Sequence, residues 1–212
     1  MDKKMRHEAE AIGGLELDSA LWETLSGLSS EEVGERALCA YDSDRSCYDI
    51  EVLDDMFHVF PGRRTIERAG ERTADLSIEL RLMILQYLND AVSIPLTGRW
   101  VTEKELKNGE MFFRGVHSLE MVKRPLEERF GNRPEAFRSA GESLGGRPVG
   151  LGDVGMRLQP LPRVPVAFVL WVADDEFPAA LNILFDSTVE NHLALDTLWG
   201  MIRVVTRRLL ST

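Results

Sequence analysis

Cysteine is scarce in this chain of 212 residues, where only Cys39 and Cys47 occur. Their C-x7-C spacing matches neither a zinc knuckle nor a C-x-x-C redox pair, and a reducing compartment disfavours a disulfide, so they read as two free thiols. Basic charge is also in deficit, with 25 Lys and Arg against 35 Asp and Glu and a formal net charge of −10. Phosphate neutralisation needs a basic surface, which argues against general nucleic-acid binding. Arg63-Arg64 and Arg203 with Arg207-Arg208 remain as local basic candidates, the second group placed to complement the negative end of a C-terminal helix. Long apolar runs are missing. The stretch 74–92 is interrupted by Glu79, Arg81, Asn89 and Asp90, and 164–172 is too short to cross a bilayer. The basic start from Met1 to His7 is followed by Glu8, Glu10, Gly13 and Gly14 instead of an apolar segment, so a soluble, cytoplasmic protein is expected.

What is present suffices for one core. With 44% hydrophobic residues and no long linker, the chain divides into a flexible N-terminal arm at 1–17 and a single α+β domain at 18–212. Asp18 is placed to cap a helix carrying Leu21, Trp22, Leu25 and Leu28, and Ser29 or Ser30 opens a second short helix through Leu38. Residues 46–53 and 56–60 read as a hairpin turning at Asp54-Asp55. The stretch 74–92 is apolar on most of its surface and predicts a buried central helix, which Pro95 and Gly98 end. Thr102 with Glu105 forms a capping box, and Glu110 to Val116 reads as an aromatic extended segment. Residues 119–130 and 133–144 predict a helical pair stopped by Gly145-Gly146. Val164 to Val172 is a continuous apolar run of strand length, expected to be covered on both faces. Ser187 with Glu190 forms a second capping box, opening a helix through Leu209. Together these elements predict a mixed or antiparallel sheet packed against the central helix and the C-terminal helix.

Four blocks carry a family resemblance. They are Ile84-Leu85-Gln86-Tyr87-Leu88 followed by Pro95-Leu96-Thr97-Gly98-Arg99-Trp100; Leu161-Pro162-Arg163-Val164-Pro165; Trp171 with Asp174 to Ala179; and Ile183-Leu184-Phe185-Asp186. In order and spacing the chain resembles an uncharacterised domain-of-unknown-function family of anaerobic bacteria and archaea. Some of its members are fused to iron–sulfur segments like those of corrinoid proteins. No four-cysteine run exists here, so the iron–sulfur role does not transfer. The resemblance implies a setting in anaerobic one-carbon or corrinoid metabolism, by analogy.

Two constellations carry chemistry. Asp174, Asp175, Glu176 and Asp186 cluster near a strand end, where oxygen ligands suit magnesium or calcium; as ordinary loop acids they are solvated, with Asp174 or Asp175 capping a turn. His117 follows Phe112, Phe113 and Arg114 at a glycine turn, and with Trp100 these residues offer an axial ligand, aromatic walls and a carboxylate partner for a corrinoid or haem. The ordinary alternative is a turn histidine without a ligand. His58 in a strand and His192 at a helix start show no partner in sequence. The glycine-rich segment 145–153 precedes a strand and lacks Gly-Lys-Ser/Thr, which removes a phosphate loop. No nucleophile or base can be assigned. The expected function is a binding or accessory protein for a small molecule, such as a tetrapyrrole, or for a protein partner. The alternatives are a metal-dependent enzyme at the acidic loop and a structural homo-oligomer.

Overall fold

Why the run VPVAFVLW forms a strand is plain from its surroundings: β8 (Val164–Trp171) lies at the centre of a sheet, and only Trp171 of its eight residues is exposed. β-branched and aromatic side chains fit a pleated surface covered on both faces. The computed structural model describes residues 17–70 and 76–212. The arm expected at 1–17 lies outside them except for Leu17, which is already helical.

Helix α1 occupies 17–27 and is followed by α2 (Ser30–Ala37). Strands β1 (Ala40–Asp42), β2 (Cys47–Val52), β3 (Asp55–Phe60) and β4 (Thr65–Arg68) make an antiparallel four-stranded sheet in chain order. Helix α3 (Ile78–Asp90) comes next. Then follow the two-residue strand β5 (Trp100–Val101), the single turn α4 (Gly109–Phe112) and the helical pair α5 (Glu120–Phe130) and α6 (Pro134–Glu142). Strands β6 (Arg147–Val149), β7 (Val154–Leu161), β8 and β9 (Ala180–Asp186) complete a five-stranded antiparallel sheet of order β5-β9-β8-β7-β6. Helix α7 (Leu195–Ser211) ends the chain.

The α+β class is therefore as expected, a single domain with a C-terminal helix, but the strands form two sheets instead of one. The sheets meet where the Leu53 N–H donates to the Gln159 carbonyl at 3.1 Å. Helix α3 packs on α7, α5 packs on α7 and β9, and α6 packs on β7, all within one apolar core. Arg208 of α7 reaches the first sheet at Asp55, 2.7 Å away, and Arg68 holds the other oxygen at 2.6 Å. Burial alone would raise the Asp55 pKa, but the two guanidinium groups outweigh it and hold the carboxyl below its ordinary value. No helix among the described residues is long and apolar enough to cross a membrane.

Several local expectations are corrected. Glu110 to Val116 is not extended: α4 and a 3-10 turn at Gly115–His117 replace a strand, because coiling buries Phe113 while leaving Met111 exposed. Asp18 is not a cap. It lies inside α1, and both of its oxygens accept from Arg81 Nη2, at 3.0 and 2.9 Å. Ser187 and Glu190 do not form a capping box, since the Ser187 hydroxyl bonds Thr97 Oγ1 and Glu190 accepts from the Lys107 N–H. Helix α7 starts only at Leu195. The central helix begins behind a Ser77 cap, its hydroxyl accepting from the Leu80 N–H, and residues 74 and 75 of its expected start lie outside the described residues. The C-terminal arginines do not serve the helix end: Arg203 and Arg207 pair with Glu79, and Arg208 with Asp55. Arg63 and Arg64 pair with Glu67 and Glu23.

The irregular segment 91–99 is pinned by the side chains of Arg163, Asp186 and His192. Arg163, in the turn between β7 and β8, donates to the carbonyls of Arg36, Ile94 and Glu35 and to the Ser93 hydroxyl. Its own N–H bonds Tyr87 Oη, which in turn donates to the Ala37 carbonyl. His192, wholly buried, accepts from the Val92 N–H at 3.4 Å, and its Nε2 has no partner among the described residues. Burial, with the nearby Arg163 charge, lowers its pKa from the ordinary histidine value, the Asp186 charge opposing in part. The imidazole is thus neutral in the folded protein while the unfolded chain takes up a proton first. Stability is complete above the unfolded value of 6.5 and is lost as pH falls from there toward the depressed folded value. Urea midpoints between pH 7.5 and 5.5 should fall for the native chain and flatten for His192→Gln.

Candidate metal centre

The outer face of the first sheet collects a mixed ligand set. In β2 the buried faces of Tyr48, Ile50 and Val52 leave Cys47, Asp49 and Glu51 to the opposite side, as the two-residue period of a strand requires. The hairpin register sets Asp49 directly across from His58, so their side chains leave the same face as cross-strand neighbours. Cys47, Asp49 and His58 each offer one ligand atom, and these atoms all lie within 4.8 Å of one another.

The His58 Nδ1–H donates to Asp49 Oδ1 at 2.6 Å, and the Cys47 thiol points at the same oxygen from 3.6 Å. Cys47 is wholly buried, whereas Asp49 and His58 are partly open to solvent, with side-chain exposures of 28% and 18%. Burial and the Asp49 charge push the Cys47 thiol above its ordinary value, with Arg45 opposing. A buried thiol of this kind is a poor nucleophile on its own, but a bound cation would replace its proton. Arg45 currently supplies the positive charge, its Nη1 lying 3.5 Å from His58 Nδ1, 3.8 Å from Asp49 Oδ1 and 4.0 Å from Asp42 Oδ2. The other cysteine differs: burial pushes Cys39 up to about 12, which keeps it a thiol at neutral pH.

The acids singled out from sequence are not brought together in this way. Asp174 is exposed and accepts from the N–H groups of Glu176 and Phe177 at 2.9 and 2.7 Å, which hold its pKa below the ordinary value; Asp175 and Glu176 are exposed beside it. Asp186 is 3% exposed and already saturated. It accepts from the N–H groups of Thr97, Gly98 and Thr188 and from the hydroxyls of Thr97 and Thr188, at 2.7–3.3 Å. Burial would raise its pKa, yet these hydrogen bonds win and lower it. Among the described residues the only group of three or more His, Cys, Asp or Glu with atoms placed for a metal is Cys47, Asp49 and His58.

The aromatic turn is partly assembled. His117 stacks on Phe112 with ring centroids 4.6 Å apart and meets the edge of Trp199, while Phe112 meets Phe113 edge-on. Arg114 pairs with Glu110 at 2.6 Å, and Trp100 lines a different groove, with Leu96, Arg157 and Asp186.

Fold and site together define an α+β protein with a thiol–carboxylate–imidazole triad on a sheet face. The chain belongs to the family described as Domain of unknown function (DUF3786), whose model matches residues 29–208. No curated protein and no solved structure matches it.

The triad was missed in sequence because its members lie on two strands, and the signal is C-x-D followed by a histidine across a hairpin. Placing the turn at Asp54-Asp55 sets Glu51, not Asp49, opposite His58. The observed turn at Leu53-Asp54, with Leu53 at φ 56°, shifts the pairing by two residues and completes the set.

Proposed function

We propose that this protein is a binding protein for a divalent transition-metal ion held by Cys47 Sγ, Asp49 Oδ1 and His58 Nδ1. The observation that supports it is the convergence of the three ligand atoms within 4.8 Å on one sheet face. Sulfur, nitrogen and oxygen together favour zinc, cobalt, nickel or ferrous iron over magnesium or calcium, which prefer oxygen alone. Three protein ligands leave a fourth position for water or a second molecule, the pattern of an open site. The family resemblance supports a setting in anaerobic metabolism, where a cysteine ligand escapes oxidation. A corrinoid or haem at His117 is the weaker proposal, since Arg114 is engaged by Glu110 and Trp100 faces a separate groove.

Calorimetric titration of chelator-treated protein tests the reading. Zinc should bind with one-to-one stoichiometry while magnesium should give no heat, and absence of zinc binding at micromolar concentration would end the proposal. Arg45 is a competing cation in this reading, with its side chain 44% exposed. Solvent screening reduces its effect on an incoming ion to about 1 kcal/mol, so Arg45→Ala should tighten zinc binding roughly fivefold. An unchanged or weakened affinity in that variant would show that the guanidinium does not occupy the ion's electrostatic place.

A further inference from the structure

The edge of the second sheet carries a like-charged pair. Strands β6 and β7 set Arg147 directly opposite Arg157, so two guanidinium groups leave the same face as immediate neighbours. Opposed like charges destabilise a sheet. Many of the described arginines are ion-paired, as at Asp18, Glu79 and Asp55. Arg147 and Arg157 have no carboxylate within 4.0 Å among the described residues, and Arg157 bonds only the Gln159 side chain, at 3.2 Å. Neither guanidinium is held in an ion pair among the described residues, so the register leaves the two positive charges facing each other.

Both arginines line a cleft of about 310 Å³, in which Glu51 and Asp54 also stand, beyond ion-pair reach. Arg157 alone also borders the adjoining groove, about 430 Å³, whose walls include Trp100, Leu96, Val149 and Pro165. An aromatic and aliphatic wall that ends at Arg157, with Arg147 across the strand pair in the neighbouring cleft, is complementary to a molecule with a flat apolar body and an anionic head; Asp186, which also lines the groove, is already taken up by its own five donors. Arginine forks match carboxylate and phosphate oxygens in pairs, and the groove has the volume of an ordinary small-molecule site.

We propose that this groove binds a small aromatic organic anion, its carboxylate or phosphate head between Arg147 and Arg157 and its ring system against Trp100. The anion neutralises the two opposed arginines of the sheet edge. This site is independent of the metal centre on the first sheet.

The probes are 2-naphthoate and 1-naphthyl phosphate, with neutral 2-naphthol and inorganic phosphate as controls, titrated calorimetrically against the full chain. At least one naphthyl anion should bind at sub-millimolar concentration and at least tenfold more tightly than either control; the better of the two names the head group. Arg157→Ala and Arg147→Ala should each weaken that binding tenfold or more. Because the pair repels, Arg147→Ala should also raise the melting temperature of the ligand-free protein by roughly 1–3 °C. No binding of either anion, or affinity unchanged in both folded arginine variants, would overturn the proposal, as would a lowered melting temperature in ligand-free Arg147→Ala.

Discussion

An Asp186→Ala variant should lose roughly 3 kcal/mol of folding stability, a drop of about 10 °C in melting temperature for a chain of this size. The carboxylate is 3% exposed and has no cationic partner within 4.0 Å among the described residues, yet it satisfies three backbone N–H groups and two hydroxyls. A hydrogen bond to a charged acceptor contributes about 1.5–3 kcal/mol, and donors left without an acceptor add a desolvation cost. Water reaching the exposed Thr97 and Gly98 replaces most of the lost bonds, which keeps the net figure well below the sum over five bonds. Its pKa is depressed in the fold, so this contribution is present above the unfolded carboxyl value of 3.8 and disappears as pH falls through the lower folded value. The gap between native chain and variant, read from denaturant midpoints, should therefore be constant from pH 8 to 5 and close below about pH 4. A gap under 1 kcal/mol at neutral pH would mean that segment 91–99 is held by Arg163 and His192 alone.

Removing a ligand of the triad should have the other large effect. Cys47→Ser and His58→Ala should each weaken zinc binding by on the order of 100-fold or more, because a three-ligand site reduced to two loses most of its chelation. The serine hydroxyl can still donate to Asp49, so Cys47→Ser separates ligand loss from collapse of the sheet. Binding should also strengthen with pH. The metal displaces the thiol proton of Cys47, whose pKa is raised above its ordinary value, and takes the His58 tautomer that carries its proton on Nε2. One proton released corresponds to about a tenfold gain in affinity per pH unit across the neutral range. A pH-independent affinity would place the ion elsewhere.

Much of the fold was legible for local physical reasons. The continuous apolar stretch at β8 could be satisfied only by cover on both faces, and the recurrence of Leu198, Ile202, Val205 and Leu209 fixed a helix with one buried side. The Thr102–Glu105 capping box formed because both partners are three residues apart and face no competitor. Where competitors existed, pattern misled: Ser187 and Glu190 found Thr97 and the Lys107 N–H. That choice is made by tertiary contacts more than 80 residues apart in the chain.

The candidate site was harder to see than the fold. Leucine rarely adopts positive φ, so nothing in residues 51–56 favoured a turn at Leu53 over one at Asp54-Asp55. Leu53 is held there because its side chain is buried and its N–H bonds Gln159 of the other sheet. The register that puts His58 across from Asp49 is therefore settled by a contact between sheets. The acids at 174–176 and 186, by contrast, are conspicuous in sequence, but Asp174 in the loop and Asp186 at the end of β9 serve backbone N–H groups.

Cobalt(II) spectroscopy on three forms of the chain tests the metal centre most directly, since a bound thiolate gives a charge-transfer band in the near ultraviolet that oxygen and nitrogen ligands do not. The native chain and Cys39→Ser should both show the band at one equivalent of cobalt, and Cys47→Ser should lack it. A band that survives in Cys47→Ser, or none in the native chain, would contradict the assignment of Cys47, Asp49 and His58 as a metal site.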